Sequence, residues 1–284
     1  MITVLEAINL STEYLQKKGV ESPRLNAELM LAHILNCKRL NLYLMFDRPL
    51  NENELTTYRE FLARRGKREP LQYILGKTEF YNVTLKTDSR ALIPRPETEL
   101  LVETIINLYK NQNSLNFLDI GVGSGCITIA LLKNLFDSKA TAVDVSEDSL
   151  SLTKENLKSN NLEHKCSLIK FNVLEDDYSK LGKFDFVVSN PPYVSKSEFE
   201  NLQPELKNFE PRIALTDNYD GLKFYKAIIQ KADKILNSGG KLFFEISPSV
   251  AKEVEELFYE NDFININLIK DFNNHFRIIY GERK

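Results

Sequence analysis

The sequence predicts an α/β protein in which a mostly parallel, seven-stranded sheet lies between helical layers, with a small helical bundle and a β-hairpin linker ahead of it. Three observations carry this. Beyond residue 114, short apolar runs alternate with amphipathic segments of helical length; before residue 72 the apolar spacing is helical throughout; and between the two lies a short β-prone stretch rich in turn formers. The expected divisions are 1–75, a helical substrate-recognition domain; 76–94, the hairpin linker; and 95–284, the sheet domain. At 284 residues, 43% hydrophobic and 27% charged, the chain can fill one large domain and one smaller one, which excludes collagen, coiled coil and bulk disorder.

Taken in order, Ser22-Pro23 reads as an N-cap and first helical position, with Leu25, Leu29 and Ala32 on one face. Asn51 and Glu54 form a capping pair ahead of Leu55, Tyr58 and Leu62, and Gly66 is the expected stop. The run Arg64, Arg65, Lys67, Arg68 reads as a solvated helix end, with an acidic or RNA-containing partner as the alternative. Thr78 to Ala91 is the hairpin. Pro96, Glu97 and Glu99 open a helix carrying Leu100, Leu101, Ile105 and Leu108. Strands then follow at LNFLDI, ATAVDV, CSLIKF, FDFVVS and KLFFEI, with two more around 263–270 and 276–280. The intervening helices fall at CITIALLKNL, 147–160, 221–236 and 249–260.

The charge excludes some functions. The chain has 37 Lys and Arg against 40 Asp and Glu, a formal −3, so the basic excess of a protein that holds many phosphates is missing. Residues 1–75 carry 11 basic and 9 acidic groups, a net +2, which leaves −5 for the remainder. No basic leader precedes an apolar core and no run approaches about 18 apolar residues, so a cytoplasmic location without membrane contact is expected. Cys37, Cys126 and Cys166 stand apart from one another, as do His33, His164 and His275, and no metal site is expected.

Two motifs carry chemistry. Asp119-Ile120-Gly121-Val122-Gly123-Ser124-Gly125 sits where a buried strand turns into a helix, and its glycines permit positive φ and close approach of a ligand. Asp144 ends the next strand, where a carboxylate can accept hydrogen bonds from both hydroxyls of a ribose. The GxGxG spacing differs from the GxGxxG of a dinucleotide site, which favours an adenosine ligand without phosphates.

The second motif, Asn190-Pro191-Pro192-Tyr193, follows the strand FDFVVS directly. A carboxamide nitrogen is a poor nucleophile because its lone pair is delocalised, so a site that alkylates one must accept its N–H hydrogens as positive charge develops. The Asn190 side-chain oxygen and the Pro191 carbonyl, aimed by the fixed φ of proline, suit that task, and Tyr193 can stack on the planar amide.

Together these motifs resemble the class I S-adenosylmethionine-dependent methyltransferases, which have a Rossmann-like fold. That resemblance implies that Gly121, Val122, Gly123, Ser124 and Gly125 approach the methionine part of the cofactor, Asp144 the ribose, and Asn172 and Val173 the adenine, with Asn190 also near the cofactor. Glu69-Pro70-Leu71-Gln72-Tyr73, Leu92-Ile93-Pro94-Arg95-Pro96-Glu97-Thr98-Glu99, the Asn-Pro-Pro-Tyr turn, Glu210-Pro211-Arg212, Asp220-Gly221-Leu222 and Glu245-Ile246 are similar, in order, to the peptide chain release factor N5-glutamine methyltransferases. The resemblance implies methylation of the glutamine in the Gly-Gly-Gln loop of release factors. Asn190, Pro191 and Tyr193 would be catalytic, Pro192 would join them in binding substrate, and S-adenosyl-L-homocysteine would be the second product. It further implies that Phe80 and Arg95–Glu99 close over the cofactor, hairpin packing and helix capping being their alternatives. Glu210 and Arg212 would pair with each other or touch substrate.

Two segments depart from the family pattern: Glu245-Ile246-Ser247-Pro248, where relatives continue with glycine, and Asp271 to Arg277, which lacks a glycine and a second acid. The competing readings are a glutamine methyltransferase of a ribosomal protein, a methyltransferase of DNA adenine or rRNA guanine, and a non-catalytic S-adenosylmethionine-binding module.

Overall fold

The computed structural model describes residues 2–284. The chain divides into two compact units. One holds the chain up to Lys77 together with Gln203–Phe209, and the other holds Thr78–Leu202 and Glu210–Lys284.

The first unit is built from α1 (Val4–Lys17), α2 (Pro23–Ile34), a 3-10 turn at Arg39–Leu44, α3 (Glu52–Gly66) and α4 (Leu71–Leu75). Reciprocal capping boxes, Thr3 with Glu6 and Asn51 with Glu54, start α1 and α3. Apolar burial centres on Ile8, Leu15, Met30, Leu31, Leu42 and Tyr58. Four local expectations change. Ser22 adopts a left-handed φ of 48° and makes no side-chain cap, so Pro23 alone marks the start of α2. The buried face of α2 is Ala27, Met30, Leu31 and Ala32, so of the expected face Ala32 is buried, Leu29 is half-buried and Leu25 is exposed. Glu28 is buried on the same helix, where Arg24, Arg39 and Tyr43 all bond its carboxylate and so make it tolerable inside. α3 ends at Gly66 as expected, but this glycine lacks the left-handed conformation of a helix stop; a Cβ there would come 2.4 Å from the Tyr14 hydroxyl.

The basic run is the fourth correction. Arg65 is buried, donating to Asn26 Oδ1 at 2.8 Å and to Glu205 Oε1 at 3.0 Å. Arg68 grips both oxygens of Glu205 at 2.6 Å, and Arg64 pairs with Glu69. A carboxylate far along the chain thus converts the expected solvated helix end into an internal ion cluster.

From the last residue of the first stretch onward, β1 (Lys77–Phe80) and β2 (Val83–Lys86) form the hairpin, turning through Tyr81 and Asn82, both at positive φ; all but Lys77 belong to the second unit. The hairpin read as a linker contributes Phe80, Val83 and Leu85 to this unit's core. Helix α5 (Pro96–Tyr109) leads into β3 (Asn116–Ile120), α6 (Cys126–Asn134), β4 (Lys139–Asp144), α7 (Glu147–Ser159) and β5 (Cys166–Lys170). Next come β6 (Phe184–Ser189), β7 (Leu236–Glu245), β8 (Phe263–Lys270) and β9 (Phe276–Arg283). The seven-stranded sheet has the order β5-β4-β3-β6-β7-β9-β8, with β3 to β7 parallel and β9 antiparallel to both neighbours.

Both faces of the sheet are covered, and alternate residues sort between them. Phe117, Phe186, Val188 and Phe243 enter one apolar cluster; Leu118, Val187, Leu242 and Phe244 enter the other. On the first face Phe117 stacks on Phe186 at 4.9 Å and Tyr109 of α5 stacks on the same ring at 4.8 Å. The helix expected over 221–236 is split into Lys223–Ile229 and Ala232–Ile235, and the one at 249–260 runs Ala251–Glu260 behind a 3-10 turn. Three short helices, Lys196–Phe199, Pro204–Phe209 and Arg212–Leu215, are too brief to show a period in sequence.

Both departures from the family pattern have local solutions. Ser247 accepts the Ser249 amide and starts the 3-10 turn at Pro248. In the β8–β9 turn, Asn274 takes a left-handed φ of 64°, a conformation that asparagine tolerates better than most residues. Asp271 holds that turn through the amides of Asn273 and His275 and the side chain of Arg277.

Phe186 is the ring on which three others converge, so Phe186→Ala should lower stability by about 3–5 kcal/mol. Urea unfolding followed by circular dichroism checks this, and a loss below about 1 kcal/mol would contradict the central role of the stack.

Candidate active site

Strand order reverses at β3, since the chain moves outward through β4 and β5 and then returns to place β6 on the other side. Crevices at such a switch, beyond the carboxyl ends of the strands, are where open α/β sheets take ligands. A cavity of about 260 Å³ lies there, lined by Gly121 to Ser124 after β3, Asp144 at the end of β4, Asn172 and Val173 after β5, and Asn190 to Pro192 after β6. The two motifs therefore meet in one hollow.

The glycine loop is laced to the end of β4. Gly121 and Val122 donate to the Val143 carbonyl at 2.8 and 3.1 Å, and Gly123 donates to Asp144 Oδ2 at 3.0 Å. With these amides engaged internally, the loop is not a phosphate cradle, in agreement with an adenosine-type ligand. Gly121, at φ 77°, has open space where a Cβ would stand, so its backbone faces the hollow directly. Gly125 differs from the expectation: it does not line the cavity, and a Cβ there would meet Thr153 at 2.9 Å. Its task is to let α6 begin in close contact with α7.

Asp144 Oδ1 accepts the Ser146 amide at 2.9 Å, so each carboxylate oxygen is oriented by one backbone donor and keeps further acceptor capacity. Burial pushes this carboxyl above its usual range, and the amides of Ser146, Gly123 and Val145 oppose the shift. Asn172 uses Oδ1 to accept the Leu174 amide at 3.1 Å, which shapes the loop after β5. Phe171, Val143 and Ile213 add apolar wall suited to a nucleoside.

Ser189 donates to the Ile120 carbonyl at 2.7 Å and locks the end of β6 to the end of β3. Asn190 Nδ2 donates to Thr98 Oγ1 at 3.3 Å, and Thr98 donates to Glu245 Oε2 at 2.6 Å. Tyr193 is not among the cavity-lining residues. Its hydroxyl reaches Glu245 Oε1 at 3.4 Å, its ring packs against the second apolar cluster, and burial raises its pKa. The turn is held from behind: Val194 donates to the Leu215 carbonyl, Lys196 to the Tyr219 carbonyl, and a Cβ on Gly221 would stand 2.4 Å from the Tyr193 carbonyl oxygen.

Other expectations resolve differently. Phe80 is a core residue of the hairpin and does not line the cavity. Arg95 and Thr98 do line it. Glu210 and Arg212 do not pair: Glu210 accepts Arg95 at 2.6 Å and the Ile93 amide at 3.1 Å, while Arg212 bonds Asn218 and covers the Phe199 ring. Glu210 thereby fixes the strap of Leu92 to Arg95 along the hollow.

Sequence reasoning missed the supports. Thr153 donates to the Gly123 carbonyl at 2.9 Å, and Asn156 bonds Ser124 and both backbone groups of Lys86. Their signal is a polar side chain on the buried face of α7. Asp119, at the head of the glycine motif, is fully buried; Thr128 bonds one oxygen and burial pushes the carboxyl up to about 7.

Known proteins share both units. Residues 6–76 match the PrmC N-terminal domain and residues 96–206 the methyltransferase small domain. The chain is 41% identical over 283 residues to a release factor glutamine methyltransferase of Fusobacterium nucleatum subsp. nucleatum, covering 98% of this chain and 78% of that protein. It is 38% identical over 285 residues to one of Rhodopirellula baltica, covering 98% and 95%. Among solved structures, a methyltransferase from Pyrococcus furiosus, 16% identical, shares the fold with a TM-score of 0.53 over 82% of this chain and 99% of that one. The methyltransferase sheet, the paired motifs at its switch point and these near full-length matches lead to one conclusion: the chain belongs to the release factor glutamine methyltransferase family.

Proposed function

We propose that the protein transfers a methyl group from S-adenosyl-L-methionine to the side-chain amide nitrogen of the glutamine in the Gly-Gly-Gln motif of peptide chain release factors. One observation carries the reading: Asn190 and Pro191 line the same hollow as the glycine loop and Asp144. When bound, S-adenosyl-L-methionine supplies an electrophilic methyl group on a sulfonium and leaves as S-adenosyl-L-homocysteine. Asp144 would hold the ribose hydroxyls, the backbone of Gly121 to Gly123 would approach the methionine part, and Asn172 and Val173, with Phe171 beside them, would flank the base.

Asn190 Oδ1 and the Pro191 carbonyl accept the two N–H hydrogens of the glutamine side chain as its nitrogen becomes tetrahedral and positive. These acceptors act where charge develops, so they favour the transition state over the bound amide. No general base is required beforehand, and the surplus proton leaves to solvent after transfer. Tyr193 closes the turn and bonds Glu245, a supporting role in place of a stacking one. The proposed role of the first unit is to recognise the body of the release factor.

The reading is tested by supplying purified protein and labelled S-adenosyl-L-methionine with release factor, ribosomal proteins or nucleic acid. Label is expected in release factor, with incorporation abolished when the loop glutamine of that substrate is changed to glutamate; label only in nucleic acid would reject the amide assignment. Asn190→Ala should lower kcat by roughly 100-fold or more, with cofactor affinity changed far less; unaltered turnover would remove the acceptor role. Asp144→Ala should weaken S-adenosyl-L-homocysteine binding on the order of 10- to 100-fold, the loss of one or two hydrogen bonds to a charged group. Isothermal titration measures it, and wild-type affinity would refute the ribose contact.

A further inference from the structure

An asparagine carboxamide has two faces of nearly equal shape, one accepting and one donating, so an acceptor role for Asn190 requires something to decide which face meets the substrate. We propose that the Glu245 carboxylate and the Thr98 hydroxyl are positioning residues that set this orientation, turning Asn190 Oδ1 toward the amide being methylated. The inference rests on the acceptor reading above and adds the device that enforces it.

The argument follows hydrogen-bond polarity. Glu245, at the carboxyl end of β7, is 2% exposed, and as a carboxylate it can only accept. Thr98, in the first turn of α5 and equally buried, has a single hydroxyl hydrogen and gives it to Glu245 Oε2 at 2.6 Å. Only lone pairs then remain on Thr98 Oγ1 for Asn190, so the group that Asn190 offers must be an N–H donor. Nδ2 occupies that place at 3.3 Å. The amide oxygen is thereby directed away from Thr98. Tyr193 donates to the other carboxylate oxygen at 3.4 Å, and the Tyr225 hydroxyl holds the Glu245 carbonyl at 2.8 Å, so the acceptor at the head of the chain is fixed on both sides. Reversing the polarity would place an NH2 group opposite the substrate NH2, donor against donor.

The chain has a built-in sensitivity to protonation. Burial pushes the Glu245 carboxyl up to about 7, with Glu97 of α5 raising it further and Thr98, Arg277 of β9 and Tyr193 opposing. Tyr225 and Cys126 are the other titratable groups that interact with it. Protonated on Oε2, Glu245 would donate to Thr98, release the Thr98 hydrogen toward Asn190 and favour the turned amide. The active form is the carboxylate, so this contribution to turnover is complete above the folded pKa and is lost as pH falls through it.

The test compares Thr98→Val, which keeps the shape and removes the hydroxyl, with Thr98→Ser, which restores it. Methylation of purified release factor should show kcat at least tenfold lower in Thr98→Val and within about twofold of wild type in Thr98→Ser. Affinity for S-adenosyl-L-homocysteine should be held within about threefold in both. Glu245→Gln, a stand-in for the protonated acid, should have low kcat at every pH and lack the fall near pH 7 expected of wild type. If Thr98→Val keeps wild-type kcat while Asn190→Ala loses turnover, the orienting device is refuted and the acceptor reading survives. If Asn190→Ala itself keeps full turnover, both fall. Should Thr98→Val not fold, Glu245→Gln decides alone: wild-type kcat with the acid limb retained would overturn the proposal.

Discussion

The site depends on the reversal of strand order at β3. Because β4 pairs on one side of that strand and β6 on the other, the loops leaving β3 and β6 part at their carboxyl ends and leave a hollow that neither loop could enclose alone. Sheet registry then decides which side chains face one another. Ile120 pairs with Val143 and with Ser189, so Gly121, Asp144 and Asn190 each lie one residue beyond the same rung. The doubly covered sheet beneath, with its stacked Phe117 and Phe186, holds that rung still.

Within the hollow most polar groups have a second task. Asp144 orders the glycine loop with one oxygen and the start of α7 with the other. Ser189 joins two strand ends, and Glu210 fixes the strap at Ile93 and Arg95. Such double use leaves few side chains free to rearrange. Groups held in this way need little reordering when something binds, which is the physical content of preorganisation.

Local patterns in the sequence were enough to reveal the architecture and both motifs, because strand alternation, capping boxes and glycine turns depend on residues a few positions apart. The Asn51–Glu54 box and the Gly121 turn are of this kind. What stayed hidden depends on partners brought in by the fold. Nothing near Arg65 or Arg68 announces Glu205, and nothing near Gly66 announces that this helix end also makes room for Tyr14. Gly125 belongs to the motif by spacing yet serves helix packing, and Tyr193 follows the prolines yet turns toward Glu245. Residues that stand together in the motifs are divided by the fold into those that line the hollow and those that brace it.

The clamp behind the Asn-Pro-Pro-Tyr turn separates two properties that loops usually couple. Val194 and Lys196 are tied by main-chain bonds to Leu215 and Tyr219, and Gly221 seats the Tyr193 carbonyl. Between these ties only the exposed part around Glu200 and Asn201 can change without cost, because Glu205 is committed to Arg65 and Arg68 and Glu210 to Arg95 and Ile93. That part offers an insertion point for a reporter group on the far side of a clamp that holds the Asn-Pro-Pro-Tyr turn in place.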